Sequence, residues 1–326
     1  MPTRALIAGC GGYLPERVVT NDELARLHGL DTSDAWIVER TGIRQRHFAA
    51  EGETASDMGA AAAREALARA GAKPDEVDAI VVATSTPDSG FPSTAVRIQA
   101  KIGATRGFGF DLSAACTGFV YGLGVADAMI RAGQVRSVLV IGTEVYSRIL
   151  DWTDRGTCVL FGDGAGAVLL RAADGRGTPS DHGILSTHLH SDGRFGDILH
   201  IDGGPGSNAR HGLLRMAGRE VFRHAVAKLA AAVDEALAAN GLGHNDVNWL
   251  VPHQANRRII EAMGKKLHME PDRVVLTVDR HANTSAASIP LALAEAVGDG
   301  RIRRGDLVLM EAIGGGLTWG AALARY

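Results

Sequence analysis

The sequence predicts an α/β fold assembled from two similar halves. Helix and strand signals alternate along the 326 residues, which is the pattern of α/β layers. A content of 46% hydrophobic residues is sufficient for one large core or two joined cores. A weak internal repeat, with a spacing of about 170 residues, relates the second half of the chain to the first.

The repeat is clearest in two turns that each follow an alanine-rich helix. The segment 71–82 (GAKPDEVDAIVV) resembles 241–252 (GLGHNDVNWLVP), and 132–141 resembles 299–310. The period is too long for a solenoid and predicts a duplicated α/β unit. Asp, Gly and Pro cluster near residues 171–179, so we expect an N-terminal half of residues 1–172 and a C-terminal half of residues 173–326.

Periodicity and turn residues predict the elements in chain order. In the first half they predict a short helix capped by Asn21, an alanine-rich helix over 54–70, a strand over 77–83, and a buried strand over 107–112 that leads into a helix from Thr117 to near Gly133. In the second half they predict a helix over 225–239, a strand that ends at Pro252, and strands over 274–278 and 321–326.

Cys116 is expected where a strand ends and a helix begins, among small residues that leave its sulfur approachable. Unpaired N–H groups and the positive end of the helix dipole favour a thiolate at such a position. The thiolate is the form of cysteine that acts as a nucleophile. The alternative is a small buried hydrophobic residue, as most free cysteines are.

Two polar residues follow other predicted strands. His253 comes directly after Pro252, and Asn283 follows the predicted strand 274–278. Strand ends of an open α/β sheet meet at one edge, where ligands bind. Cys116, His253 and Asn283 are therefore predicted to form a Cys-His-Asn site with a nucleophilic cysteine. Taken singly, His253 and Asn283 are also compatible with capping or core polar roles.

A run of three glycines, Gly314 to Gly316, follows another predicted strand near the C-terminus. Glycine allows close backbone approach, so these N–H groups could stabilise an oxyanion. The alternative is a hairpin turn before the last strand, and the two roles are compatible.

Composition and patterning exclude several other classes of protein. The net charge is −3, and basic runs interleaved with aromatic residues are absent, so nucleic-acid binding is not expected. The longest apolar runs are too short for a transmembrane helix or a signal peptide, which favours a cytoplasmic protein. Three widely spaced cysteines indicate a reducing compartment, and the scattered histidines predict no metal site.

The segments described above resemble the β-ketoacyl-acyl carrier protein synthase III family of the thiolase superfamily, over residues 6–326. The resemblance is carried by 111–119 (DLSAACTGF), 251–256 (VPHQAN), 283–288 (NTSAAS), 36–43 (WIVERTGI) and 161–167 (FGDGAGA). It implies a thiolase-like five-layered α/β/α/β/α fold and a homodimer. It also implies that the enzyme starts type II fatty acid synthesis by condensing an acyl-CoA, with acetyl-CoA expected, with malonyl-acyl carrier protein.

The resemblance implies a role for each of several residues. Cys116 holds the acyl group, the N–H groups of Cys116 and Gly315 form an oxyanion hole, and His253 and Asn283 stabilise the malonyl enolate. Neither a metal nor a cofactor is implied, because loss of CO₂ supplies the driving force. The other implied roles are binding of CoA and pantetheine by Trp36, Arg40, Thr41, Arg155 and Asn256, closure of the partner's acyl pocket by Phe91, and carrier-protein docking at Arg223, Gln254, Arg257 and Arg258.

Other functions are weighed against this one. A related Cys-His-Asn enzyme of secondary metabolism would transfer another acyl group or form an ester, and the shape of the acyl pocket would discriminate it. A non-catalytic relative would keep the fold without the chemistry, but the intact Cys-His-Asn set weighs against that function. A degradative thiolase would have a second cysteine where this chain has glycines 314–316. For the arginines, the alternative to docking is a solvated helix face.

Overall fold

The computed structural model describes residues 3–204, 206–207 and 212–326. The strands in this part of the chain are β1 (Thr3–Tyr13), β2 (Arg17–Thr20), β3 (Gln45–Phe48), β4 (Ala79–Ala83), β5 (Phe108–Leu112), β6 (Ser137–Glu144), β7 (Gly164–Asp174), β8 (Gly183–Ser191), β9 (Leu199–Ile201), β10 (Leu214–Met216), β11 (Trp249–Pro252), β12 (Leu307–Gly314) and β13 (Thr318–Arg325).

The α-helices of the same residues alternate with these strands. They are α1 (Asn21–His28), α2 (Asp34–Thr41), α3 (Ala55–Arg69), α4 (Thr94–Ile102), α5 (Gly118–Arg131), α6 (Arg155–Cys158), α7 (Gly218–Ala239), α8 (Arg257–Lys266), α9 (Val278–His281) and α10 (Ser288–Gly298). None of the helices in the described residues is both long enough and apolar enough to cross a membrane.

Two sheets and three helical layers build the molecule. Among the described residues, the two large sheets have the orders β1-β7-β6-β4-β5 and β11-β12-β13-β8, and two small sheets pair β2 with β3 and β9 with β10. Buried side chains of α3 and α4 cover the outer face of the first sheet, and those of α7 and α8 cover the outer face of the second. Helices α5 and α10 fill the space between the sheets. These layers confirm the predicted five-layered α/β/α/β/α fold.

The two sheets have corresponding strand orders, since β8-β13-β12-β11 matches β1-β7-β6-β4. In the first sheet β4 pairs in parallel with β6, and in the second sheet β11 pairs in parallel with β12. The other neighbouring strands in this common order are antiparallel. The division at residue 172 stays a prediction. That residue lies within β7, which pairs with β1 as far as Asp174.

Two strand predictions differ from the structure. The segment 274–278 is not a strand: Val274 makes an isolated bridge to Leu250, and α9 begins at Val278. The cause is a side chain, because Gln254 Oε1 accepts the N–H groups of Thr277 at 2.8 Å and Val278 at 3.0 Å. These N–H groups are therefore engaged by a side chain instead of a neighbouring strand.

The other difference concerns β5, which is predicted as a buried strand. It is an edge strand that pairs only with β4 among the described residues, and its first residue, Phe108, is 48% exposed. The apolar pattern that identifies a strand does not distinguish a central strand from an edge strand.

The starts of α3 and α5 were predicted to within one residue, whereas α7 begins at Gly218, seven residues before its predicted start at 225. Thr54 caps α3 through a reciprocal pair of bonds with Asp57, the capping box. At α1, however, the cap is Thr20 and not Asn21, because the Thr20 hydroxyl accepts the Glu23 N–H at 3.2 Å. Asn21 is instead buried, and its Oδ1 accepts a 2.7 Å hydrogen bond from the buried guanidinium of Arg46.

Candidate active site

Cys116, His253 and Asn283 line one cavity of about 240 Å³. All three side chains are buried. Cys116 lies in the turn directly before α5, His253 follows β11, and Asn283 follows α9. The structure therefore brings together the three residues that the sequence predicts to meet, although they are far apart in the chain.

Asn283 is held by its backbone and its amide oxygen. Its N–H donates to Leu160 O at 2.9 Å, and its carbonyl accepts the Gly162 N–H at 3.1 Å. Its Oδ1 accepts the Ser285 N–H at 2.9 Å. Because the amide oxygen is used within this turn, the amide nitrogen is the atom left to donate a hydrogen bond to a ligand.

His253 is held from two sides. Its N–H donates to Glu311 O at 2.8 Å, and its ring Nδ1 lies 2.6 Å from Ser288 Oγ. Burial lowers the pKa of His253 to about 3. The ring is therefore neutral at physiological pH and can act there as a hydrogen-bonding group, but not as a cation.

Cys116 differs from the sequence expectation in its ionisation. Burial raises the pKa of its thiol to about 12, and the nearby carboxyl of Glu144 acts in the same direction. This direction opposes the effect of the helix start, which favours the thiolate.

Glu144 lies at the end of β6 behind the cysteine. Its carboxylate accepts the Thr86 hydroxyl at 2.6 Å and the Ser85 N–H at 3.0 Å. Burial nevertheless raises the pKa of Glu144 to about 7. Glu144 thus anchors the loop that follows β4, in which Ser85 lines the cavity beyond Cys116.

Alkylation of Cys116 is expected to accelerate with pH. Because its pKa of about 12 lies far above neutrality, the thiolate fraction should rise about tenfold for each pH unit over the range from about pH 7 to pH 9. Mass spectrometry after timed iodoacetamide treatment measures the rate at this residue. A rate that is flat over this range would show that the thiolate is already formed.

Cys10 is the matched control for this measurement. Burial also raises its pKa to about 12, and it lies in β1 outside the described cavity walls. We expect it to remain unlabelled in the folded protein while Cys116 reacts, since access and not only ionisation determines the rate.

The glycine turn packs directly against the cysteine. A Cβ on Gly314 would lie 2.6 Å from Cys116 N, which is too close for any side chain. The hydroxyl of Thr318 links the two turns, since its one proton lies within reach of Ala114 O at 3.0 Å and Gly315 O at 3.1 Å. Gly315 and Cys116 both line a second cavity of about 350 Å³ beyond the thiol.

The outer end of the first cavity contains the predicted CoA residues. Trp36, Arg40, Thr41 and Asn256 line it. The guanidinium groups of Arg40 and Arg155 lie 4.6 and 4.9 Å from the centre of the Trp36 ring. Thr41 is buried and its hydroxyl donates to Ile37 O at 2.7 Å, so in the free chain it also stabilises the end of α2.

Asn256 has a structural role beside its place in the cavity wall. Its Oδ1 accepts the Arg258 N–H at 2.8 Å and so caps α8. Its Nδ2 donates to Arg40 O at 3.2 Å, which ties α8 to α2. The predicted pantetheine contact at this residue thus coincides with the junction of the two helices.

Gln254 is wrongly predicted as a carrier-protein contact. Its side chain is fully buried, with 0% exposure. Its Nε2 donates to Pro252 O at 2.9 Å and Val275 O at 3.0 Å. Its Oε1 accepts the N–H groups of Thr277 and Val278. Its hydrogen-bonding atoms are occupied inside the protein, so the residue braces the strand end that carries His253 and is not accessible to a partner.

The other predicted docking residues lie at the surface. Arg223 on α7 and Arg257 and Arg258 on α8 are exposed. Arg257 forms an ion pair with Glu261 at 2.8 Å. Phe91 is 89% exposed, and it does not line either cavity beside Cys116. Its place in an acyl pocket therefore requires a second subunit and stays a prediction.

Sequence reasoning missed most of the apolar cavity wall and the polar groups behind the site. Phe161 and Leu199 line both cavities, Ser288 contacts His253, and Tyr146 and Ser85 line the cavity beyond Cys116. The hydroxyl residues of the segment 283–288 were a signal for Ser288. The apolar residues lack such a signal, because they are indistinguishable in sequence from core residues.

Comparison with known proteins shows the family of the chain. Residues 110–193 match the family model described as 3-Oxoacyl-[acyl-carrier-protein (ACP)] synthase III, and residues 237–326 match the model of its C-terminal part. The chain is 73% identical to a β-ketoacyl-[acyl-carrier-protein] synthase III of Acidiphilium cryptum, with 99% of each chain covered. It is 65% identical to one from Rhodospirillum centenum, with 100% of each covered.

A solved structure supports the same relationship. The crystal structure of 3-oxoacyl-[acyl-carrier-protein] synthase III from Aquifex aeolicus matches with a TM-score of 0.92 at 46% identity, covering 99% of this chain and 100% of that one. The fold and these matches define a thiolase-fold acyltransferase. With full-length relatives at this level of identity, the chain belongs to the β-ketoacyl-[acyl-carrier-protein] synthase III family.

Proposed function

We propose that this enzyme condenses an acyl-CoA, preferentially acetyl-CoA, with malonyl-acyl carrier protein by decarboxylation, with Cys116, His253 and Asn283 as the catalytic residues. One observation carries the assignment of residues: these three side chains share a cavity whose outer end is lined by Trp36 and Arg40. A CoA thioester bound with its adenine at Trp36 extends its pantetheine along this cavity toward Cys116.

In the first half-reaction, the sulfur of Cys116 attacks the thioester carbonyl of the acyl-CoA. The new C–S bond forms as the bond to the CoA sulfur breaks, and the CoA leaves with the proton that the cysteine loses. The N–H groups of Cys116 and Gly315 hold the tetrahedral oxyanion. The close packing of the glycine turn on Cys116 supports this assignment.

In the second half-reaction, the malonyl group loses CO₂ and its bonding electrons pass to the thioester as an enolate. Hydrogen bonds from His253 and Asn283 to the thioester oxygen stabilise that charge. The enolate carbon attacks the acyl-cysteine, a C–C bond forms, and the cysteine sulfur departs and takes up a proton. Burial of both donors strengthens their interaction with the developing charge.

The cavity beyond the thiol supports the binding of an apolar acyl group. The rings of Tyr146 and Phe161 stack with centroids 4.9 Å apart, and both residues line this cavity. Two buried aromatic side chains give this cavity an apolar wall next to Cys116, which suits an acyl group, and the preference for acetyl rests on the family resemblance.

Mass spectrometry of the intact protein after mixing with a panel of acyl-CoAs tests the proposal. We expect one acyl group on Cys116, formed fastest with acetyl-CoA and removed when malonyl-acyl carrier protein is added. The absence of acylation by any member of the panel would contradict the function. Preference for a long or branched chain would instead favour the related enzyme of secondary metabolism.

A homodimer is part of the proposal. The exposed edge strand β5, with Phe108 at its start, offers unpaired backbone groups and apolar area to a second copy. Phe91 would then reach the acyl pocket of the other subunit. Sedimentation velocity tests the assembly, and a monomer at micromolar concentration would contradict it. Buried free cysteines support a reducing, cytoplasmic compartment.

Carrier-protein docking is proposed at Arg223, Arg257 and Arg258, because carrier proteins of this pathway are acidic. Replacement of Arg258 by Glu is expected to raise the KM for malonyl-acyl carrier protein by about three- to tenfold. Acylation by acetyl-CoA should stay nearly unchanged. The effect should diminish with added salt, since exposed charges are screened beyond about 8–10 Å at ordinary ionic strength.

Replacement of Arg136 by Glu is the matched control. Arg136 is equally exposed but precedes β6, at the end of the first sheet opposite to Cys116. The same charge reversal there should leave the KM unchanged. If the two variants change the KM equally, or if the KM of the Arg258 variant does not depend on salt concentration, these arginines form only a solvated surface.

A further inference from the structure

Ser288 stands at the junction between the catalytic histidine and helix α10. It is the first residue of α10 and only 2% exposed. Its Oγ lies 2.6 Å from His253 Nδ1, and it also accepts the Gln254 N–H at 3.3 Å. One buried hydroxyl therefore contacts the ring of His253 and the backbone of the next residue.

The single proton of the Ser288 hydroxyl determines the direction of its hydrogen bond with His253 Nδ1. A serine hydroxyl has one proton and two acceptor positions. The Gln254 N–H occupies one acceptor position, and among the described residues the acceptor in contact with the hydroxyl proton is His253 Nδ1. If the ring donated instead, the buried hydroxyl proton would have no acceptor, which costs free energy.

We propose that Ser288 donates to His253 Nδ1 and so holds the ring as the tautomer protonated at Nε2, which makes Ser288 a positioning residue for the decarboxylation step. The inference rests on the proposed function and goes beyond it by assigning a residue outside the Cys-His-Asn set. His253 lines the cavity and its Nδ1 is on Ser288, so Nε2 is the nitrogen available to a bound thioester.

The consequence is that His253 acts as a donor and not as a base toward Cys116. A neutral ring protonated at Nε2 has no lone pair on that atom to accept the thiol proton. The same turn sets the second donor, because Ser285 N–H occupies the amide oxygen of Asn283 and leaves its nitrogen to donate. The Ser288 hydroxyl and the Ser285 N–H thus orient the two hydrogen-bond donors to the enolate before substrate binds.

The tautomer itself is measured first, on the unmodified protein. Two-bond ¹⁵N–¹H correlation spectra of histidine-labelled protein distinguish Nε2–H from Nδ1–H, and the His253→Ala variant identifies the signal of His253. We expect the Nε2–H pattern. A signal with the proton on Nδ1 would overturn the inference whatever the variants do.

The two half-reactions are then timed separately in the Ser288→Ala variant. We expect malonyl decarboxylation to slow by roughly tenfold, since the ring loses the partner that fixes its tautomer and orientation. Acylation of Cys116 by acetyl-CoA should remain close to the unmodified rate. Ser288→Thr, which keeps the hydroxyl, should restore decarboxylation and the Nε2–H pattern.

Thr284→Val is the matched control on the same turn. The Thr284 hydroxyl is buried and makes no hydrogen bond to any described group, so its loss should leave both half-reactions unchanged. If Ser288→Ala slows acylation and decarboxylation equally, the positioning role is wrong. Absence of acylation in the unmodified protein would instead contradict the proposed function. The spectra test the tautomer independently of activity, so the two failures can be told apart.

Discussion

Replacement of Cys116 by Ser is expected to abolish condensation and to prevent any acyl group from accumulating on the enzyme. A serine hydroxyl is a far weaker nucleophile than a thiol at neutral pH, and this site has no strong base beside it. The loss should be on the order of 10⁴–10⁶-fold, the scale on which removal of a catalytic nucleophile acts. Turnover of radiolabelled acetyl-CoA measures it, and normal turnover would contradict the mechanism.

Cys10→Ser is the control for this substitution. Cys10 is as deeply buried as Cys116, and burial raises the pKa of both thiols to about 12. The two sites therefore differ in position and not in ionisation. We expect the Cys10 variant to keep its acylation rate, with at most a loss of stability that thermal unfolding would reveal.

Replacement of His253 or Asn283 by Ala is expected to slow malonyl decarboxylation by on the order of 10²–10³, the usual effect of losing one donor to a developing oxyanion. Acylation of Cys116 should fall much less, because neither residue donates to the acyl-CoA carbonyl in the proposed mechanism. Quenched-flow measurement separates the two half-reactions. Equal losses in both would mean that these residues activate the cysteine instead.

His281→Ala is the control for the histidine variant. His281 is also buried, and burial lowers its pKa to about 4, so it too is a neutral histidine at physiological pH. It does not line the cavity that holds Cys116. Its replacement should leave the ratio of the two half-reaction rates unchanged, even if it lowers the stability of the fold.

Motifs with local physical causes were predictable from the sequence alone. Residue types that cap helices placed α3 within one residue, and the small-residue turn before α5 placed Cys116 at a helix start. The internal repeat predicted two matching α/β units, and the corresponding strand orders of the two sheets agree with it. A polar residue directly after an apolar strand identified His253. Asn283 was found by the same reasoning, although the apolar segment 274–278 before it is not a strand.

The predictions that were wrong depended on what packs around a residue. Gln254 looks like an accessible polar residue beside His253, but it is enclosed and bonded to four backbone groups. Those bonds also explain why the apolar segment 274–278 is not a strand. A sequence lists the donors and acceptors that a side chain carries, but it does not say which distant backbone groups will meet them.

The sequence by itself determined the fold class, the family resemblance and the identity of the Cys-His-Asn set, since these depend on residue types, spacing and order. Only the tertiary structure decided the burial that raises the pKa of Cys116, the burial of Gln254, the edge position of β5 and the contact between Ser288 and His253. The physical reason is that desolvation and hydrogen-bond partners are set by residues far away in the chain, and these meet only after folding.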